Sequence, residues 1–186
     1  DDIVIHCNSK EEAEQLLGKL KIRMRQYELE LHPEKTKVVY CKNYQRNEKH
    51  DNNSFTFLSY SFQPRTVKDK FGRKKRLVVF NAAISQQAKT GIREKLKEVL
   101  PPKWSNQTLT WFAQKLNPKI RGWINYYAKF NQQIAYEVFY YLNELIRKWI
   151  KNKYKIRSKT GLYDKYETMQ SVNPHLFYHW RLGIKS

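Results

Sequence analysis

RLVVFNAAISQQAKTGIREKLKEVLPP, residues 76–102, contains the change of rhythm on which the fold turns. Arg76 to Phe80 is a short β-branched and aromatic run of the kind that forms strands. Past Ala82 the spacing becomes helical. Ala88, Ile92, Leu96 and Val99 recur three or four apart, and Ser85 stands where an N-cap belongs. Pro101-Pro102 ends the segment, because proline has no amide for the helical ladder. The sequence on either side follows the same division, with short strands and one helix before it and helices only after it.

Upstream, Ile3, Ile5 and Cys7 alternate with Val4 and His6, the period of a strand. Ser9 and Glu12 form an S-x-x-E capping box. The helix that follows places Ala13, Leu16, Leu17, Leu20, Met24 and Tyr27 on one face, with Lys19, Arg23 and Glu30 opposite and His32-Pro33 as its stop. Lys37 to Cys41 reads as a second strand, and residues 42–53 as a polar loop. Ser54 to Gln63 (SFTFLSYSFQ) reads as a third strand, with Phe55, Phe57, Ser59 and Ser61 facing one way. Phe71 to Lys75 is a basic turn that brings Arg76–Phe80 back beside it as a hairpin. Residues 1–82 are therefore expected to be α+β.

Downstream, Lys89, Arg93 and Lys97 repeat every four residues on the expected outer side of the first helix. A second helix is expected over 106–117, burying Leu109, Phe112 and Leu116, with Pro118 as its stop. A third starts near Lys119 and runs through Gly122-Trp123 to Tyr127, where Gly122 is expected to permit close helix packing. A fourth covers about 131–153, capped by Asn131 and burying Ile134, Val138, Leu142, Leu145, Trp149 and Ile150. Short helices complete the chain, ending on PHLFYHWRLG, residues 174–183.

The formal net charge is +19, from 36 Lys and Arg against 17 Asp and Glu. Residues 85–186 carry 19 basic and 6 acidic side chains, a balance of +13; residues 1–84 carry 17 and 11, a balance of +6. A charge of this size repels itself in a compact fold and points to a polyanionic partner. The densest cluster is Arg147, Lys148, Lys151, Lys153, Lys155, Arg157 and Lys159, with no acid among them. An apolar fraction of 40% supports packed cores. No apolar run approaches the ~20 residues of a membrane span. Cys7 and Cys41 make neither a zinc spacing nor a disulfide framework and are read as reduced thiols. His175 and His179 stand four apart without a third ligand, so packing around Trp180 is preferred to zinc.

Taken in order, DDIVIHC, the capped helix, LHPEKTKVVY, FTFLSYSF, NPKIRGWINYY and PHLFYHWRLG resemble group II intron-encoded reverse transcriptase/maturases, the ending being similar to the compact bacterial class. The resemblance implies the end of a polymerase palm over 1–82, then a helical thumb, or maturase-specific domain X, over 83–186. It implies that Asp1 and Asp2 are two of the metal-binding catalytic carboxylates, which would hold Mg²⁺, a hard cation suited to oxygen ligands. It implies that Lys35 contacts the triphosphate or donates a proton, and that Phe57, Leu58, Ser59 and Tyr60 form a primer-grip hairpin. Ser59 departs from the glycine usual there.

Lys89, Arg93, Lys97, Lys119, Arg121, Arg147, Lys148, Lys151, Lys155 and Arg157 are the candidate nucleic-acid contacts. The implied partners are structured intron RNA and a template–primer duplex, in a bacterial cytoplasm and away from membranes. The start without Met and the absence of fingers and of the third aspartate read as a piece of a longer chain, inactive in polymerisation by itself. Its first strand, without a hairpin mate, is expected to self-associate or fray. A non-catalytic basic RNA-binding module and an integrase-like DNA-binding protein are the alternatives.

Overall fold

A computed structural model describes residues 3–46, 48–68, 76–101 and 106–184. The elements in chain order are α1 (Lys10–Gln26), β1 (Phe55–Phe57), β2 (Tyr60–Val67), β3 (Leu77–Ile84), α2 (Gln86–Val99), α3 (Leu109–Tyr127), α4 (Gln132–Lys153), α5 (Lys159–Val172) and α6 (Tyr178–Arg181). The fold is α+β. The chain divides into two compact units, Asp1–Asn81 and Ala82–Ser186.

The first unit holds a three-stranded sheet of order β1-β2-β3. The stretch expected to be a single strand over 54–63 is instead a hairpin. Leu58 and Ser59 have φ of 47° and 65°, and fold β1 back on β2 with Phe55 opposite Phe62 and Phe57 opposite Tyr60. Two successive left-handed residues are what a two-residue I′ hairpin turn requires, normally supplied by Asn-Gly. The missing glycine is why the turn escapes a reading of the sequence. The Phe55 and Phe62 rings stack at 4.7 Å, which secures the register. Pro64 lies within the central strand but beyond the last residue that β1 pairs, so its missing amide breaks no bond to β1.

Residues 3–7 and 37–41, expected as strands, lie outside regular structure. Alternation can describe a strand but cannot supply its hydrogen-bonding neighbour, and among the described residues neither segment has a strand beside it. Ile3, Val4 and Ile5 are correspondingly exposed, so residues 3–7 present no formed strand edge for self-association. The expected basic turn at 71–75 lies outside the described residues.

Helix α1 begins as expected. The Glu12 amide donates to Ser9 Oγ (3.1 Å), and Glu12 Oε2 accepts from the Asn8 amide (2.7 Å). It stops at Gln26 rather than at Pro33. The Leu29 amide bonds to the Met24 carbonyl and the Glu28 amide to that of Arg25, with Glu28 at φ 56°, which is a Schellman termination without its customary glycine. Ala13, Leu16, Leu17, Leu20 and Met24 are half-buried rather than buried, and Tyr27 is exposed beneath the Arg23 guanidinium. An apolar stripe is covered only to the extent that another layer faces it. Among the described residues of this unit Tyr60 alone is fully buried.

The second unit has the large core. Ser85, Thr108, Asn131 and Ser158 cap α2 to α5, each accepting an amide of the first turn through its side-chain oxygen. Ile92 and Leu96 of α2, Phe112, Leu116, Ile120 and Ile124 of α3, and Val138, Phe139, Leu142, Ile146, Trp149 and Ile150 of α4 form one buried cluster with Tyr166, Phe177 and Trp180. Phe112 meets Trp149 edge to face at 5.7 Å.

Pro118 does not end a helix: α3 runs through it as one rod. A proline inside a helix removes one hydrogen bond and costs about 3 kcal/mol. Against that, α3 buries a continuous stripe on both sides of the proline, with Leu116 and Ile120 each fully enclosed. At about 1.5–3 kcal/mol for each large apolar side chain, the stripe outweighs the break. Gly122, expected to admit a packed helix, faces open space: a Cβ there would meet nothing within 4 Å.

Candidate nucleic-acid interface

The candidate cations do not form one surface. On α2, Lys89 reaches across to Glu137 of α4, with Nζ 2.6 Å from Oε2 and a side chain only 12% exposed. Arg93 lies over the Tyr141 ring at 5.5 Å, and its Nε is buried. Glu137 and Tyr141 are four apart, as are Lys89 and Arg93, so the two helices meet through a polar seam. The expected outer stripe is therefore an inter-helix contact at two of its three positions, leaving Lys97 exposed.

Arg147 is a second correction. Its relative exposure is 6%, Nη2 pairs with Glu144 Oε1 at 2.6 Å, and the guanidinium lies over Tyr163 (5.4 Å) and Tyr166 (5.0 Å). It clamps α4 to α5 through cation–π contact rather than facing solvent. Lys153 is also engaged, donating to the Gln107 carbonyl at 2.7 Å and lying over Trp149.

The remainder of that cluster is exposed. Lys148 and Lys151 are neighbours on the surface of α4, and Lys155, Arg157 and Lys159 continue around the corner into α5. Lys155 holds φ 51° just past the helix end, where the Ile156 amide bonds back to the Lys151 carbonyl. This termination turns the chain so that the basic run wraps the corner instead of extending along α4. Among the described residues none of these five cations is ion-paired. Lys119 and Arg121 are exposed on α3.

Behind these surfaces a polar clip that the sequence did not disclose holds the terminal PHLFYHWRLG segment. Asn143 of α4 is wholly buried, and its Oδ1 accepts from Trp180 Nε1 (2.9 Å) and from His179 Nε2 (2.8 Å). Its Nδ2 donates to the Ile184 carbonyl (3.3 Å). Asn117 of α3 does the same one layer away, donating to the Leu176 carbonyl (2.9 Å) and accepting from the Tyr178 amide (2.8 Å). Because Asn143 Oδ1 can only accept, His179 carries its proton on Nε2 and leaves Nδ1 bare and buried. Burial pushes the His179 pKa down to about 3, so the ring is neutral at ordinary pH. His175 is exposed and outside α6, so the two histidines share no helix face.

In the first unit Lys35 is exposed in a turn closed by the Thr36 amide on the His32 carbonyl (2.9 Å). Leu58 and Ser59 form the exposed tip of the hairpin, Phe57 is half-buried, and Tyr60 is buried. Asp1 and Asp2 lie outside the described residues. Among the described residues no group of three His, Cys, Asp or Glu side chains gathers to hold a metal. No helix is long and apolar enough to cross a membrane.

Comparison with known families gives two matches. The model of "Reverse transcriptase (RNA-dependent DNA polymerase)" matches residues 1–62, and that of "Group II intron, maturase-specific domain" matches residues 89–166. No curated protein and no solved structure matches the chain. The polymerase match ends at Phe62, within β2 of the small sheet, and the maturase match begins in α2 and continues through α3, α4 and half of α5. A polymerase match followed along the chain by a maturase-specific match places this chain in the family of group II intron reverse transcriptase/maturases.

Proposed function

We propose that the helical unit binds structured intron RNA through phosphate contacts and that, within a complete polymerase, the chain also holds a template–primer duplex for RNA-directed DNA synthesis. RNA splicing is assisted by the first of these contacts. The observation that carries the reading is the exposed, unpaired corner of Lys148, Lys151, Lys155, Arg157 and Lys159 inside or bordering the matched maturase domain. Side chains cannot read the deep major groove of A-form RNA, so a point-charge surface of this kind recognises backbone and shape. Lys97 of α2 and Lys119 and Arg121 of α3 are further exposed cations of the same unit that would meet phosphates.

Lys35 serves as a phosphate contact, and the Phe57–Tyr60 hairpin positions the primer end. Asp1 and Asp2 are the carboxylates that would hold Mg²⁺, whose chemistry is to activate the attacking hydroxyl and stabilise the departing pyrophosphate. By itself this chain does not polymerise.

The test is a titration of the chain with a structured intron RNA and with random duplex RNA at several salt concentrations. Each phosphate contact contributes roughly 0.7–0.9 to the slope of log K against log salt. Replacing Lys148, Lys151, Lys155 and Arg157 by Gln is expected to lower that slope by about 3, while Lys89→Gln leaves it unchanged. An equal slope for the quadruple variant and the parent would refute the reading.

A further inference from the structure

The basic corner is made of two helix ends joined by the five residues 154–158. Lys148 and Lys151 lie on α4, Lys155 and Arg157 in the link, and Lys159 opens α5. Their arrangement as a set therefore depends on how α5 is held against α4. Two cations of the same region are spent on holding it. Arg147 of α4 lies over Tyr163 and Tyr166 of α5, at 5.4 and 5.0 Å. In the other direction Lys165 of α5, half-buried, lies over Tyr154, the C-cap of α4, at 4.9 Å. The two contacts are reciprocal, each helix setting a cation on a ring that belongs to the other.

Both clamps adjoin the corner. On α4 Arg147 stands one turn before Lys151, and on α5 Tyr163 stands one turn after Lys159. Tyr154 borders Lys155 directly. The link between them is tied at each end, by the Ile156 amide on the Lys151 carbonyl (3.1 Å) and by the Gly161 amide on Ser158 Oγ (3.1 Å). Arg147 itself is closed to a phosphate: Nε and Nη1 are buried, and Nη2 is paired with Glu144. A cation held on two rings and one carboxylate is fixed in direction as well as in place, and cation–π attraction strengthens where water is excluded.

We infer that Arg147 and Lys165 are positioning residues of the RNA site, which touch no phosphate and fix the five exposed cations in an array that matches one RNA shape. This rests on the RNA-binding reading above and adds to it the source of selectivity. The number of cations that meet phosphates sets the salt slope, whatever their arrangement. Selectivity requires that the arrangement exist before the RNA arrives, because ordering loose groups on binding subtracts from affinity. A folded RNA presents phosphates in a fixed, irregular array. A random duplex repeats one spacing along its length, which loose cations can follow. Loosening the corner therefore weakens binding of the structured RNA most.

The measurement titrates the whole chain with structured intron RNA and with random duplex RNA at several salt concentrations. The variants are Arg147→Gln, Lys165→Gln, Tyr163→Leu and the double variant of Arg147→Gln with Tyr163→Leu. Tyr163 is 46% exposed, so Tyr163→Leu keeps the fold and tests the clamp independently of the buried arginine. The preference for structured RNA should fall about two- to fivefold in Tyr163→Leu and Lys165→Gln, and roughly tenfold in Arg147→Gln. The salt slope should stay at the parent value throughout, although two of these changes remove a cation. The double variant should lose no more than Arg147→Gln alone, because Tyr163 acts through Arg147. Arg147→Lys, which keeps a cation over the rings, should recover part of the preference. Lys148→Gln is the opposite case, with a slope lower by about 1 and the preference intact.

Failure of the parent chain to bind either RNA would overturn the functional reading and this inference together. Parent binding that does not distinguish structured RNA from random duplex would overturn the inference alone. So would a lowered salt slope in Arg147→Gln or Lys165→Gln, which would make that residue a phosphate contact. An unchanged preference in Tyr163→Leu, or additive losses in the double variant, would overturn it as well.

Discussion

Removing the Asn143 side chain should destabilise the helical unit more than its size implies. Asn143 joins α4 to the terminal segment by three hydrogen bonds in a site where it, His179, Trp180 and Ile184 are all 2% exposed or less. Asn143→Ala leaves two buried donors, His179 Nε2 and Trp180 Nε1, and one buried acceptor, the Ile184 carbonyl, with no partner. Each such group costs about 1–3 kcal/mol. The Ile184 bond, at 3.3 Å, is the weakest of the three, and partial relaxation lowers the sum, so a loss of about 3–5 kcal/mol is expected. Urea unfolding followed by tryptophan fluorescence reads this directly, provided the slope m is unchanged between parent and variant. A double-mutant cycle of Asn143→Ala with His179→Phe should give a coupling of about 1–2 kcal/mol, because residues sharing one network are not additive. A loss below about 1 kcal/mol for Asn143→Ala, or no coupling in the cycle, would show that the clip is incidental and that apolar packing alone holds the terminal segment.

Two further outcomes follow from local features. The His179 pKa is depressed in the folded state to about 3, so only the unfolded chain takes up this proton below the ordinary histidine value of 6.5. Stability from this residue is therefore complete above pH 6.5 and falls by up to about 1.4 kcal/mol per pH unit between there and pH 3; His179→Phe should flatten the denaturation midpoint over that window, and parallel profiles would contradict it. At the hairpin tip Ser59→Gly relieves a left-handed residue at φ 65° and should stabilise the β1–β2 pairing by about 0.5–1 kcal/mol, seen as a two- to fivefold slower amide exchange at Phe57 and Tyr60. Faster exchange would mean that the Ser59 side chain is needed at the turn.

The elements that the sequence shows clearly are those whose signals are local. Ser9, Ser85 and Asn131 cap their helices because the cap lies within three residues of the amide that it satisfies. The apolar spacing of α4 picks out the Leu142, Trp149 and Ile150 face without knowledge of what covers it. The family signal is similarly local, a series of short motifs in order. Where the sequence fell short, the deciding partner was distant or the expected residue was replaced. The I′ turn at Leu58-Ser59 and the helix end at Glu28 use left-handed backbone without glycine, so the usual marks are missing.

The sequence by itself determined where positive charge and apolar faces occur along the chain, because composition and period are properties of neighbouring residues. It settled the α+β character, the helical second half and the family. Only the tertiary structure decided which cations face solvent. Lys89, Arg93 and Arg147 look in sequence like Lys148 or Lys151, and they differ because Glu137, Tyr141, Glu144, Tyr163 and Tyr166 come to meet them. Pro118 continues a helix for the same reason: packing on both sides of it outweighs one lost hydrogen bond. A charge pattern records how many cations the chain carries, but their availability to RNA depends on burial and pairing, which long-range contacts set.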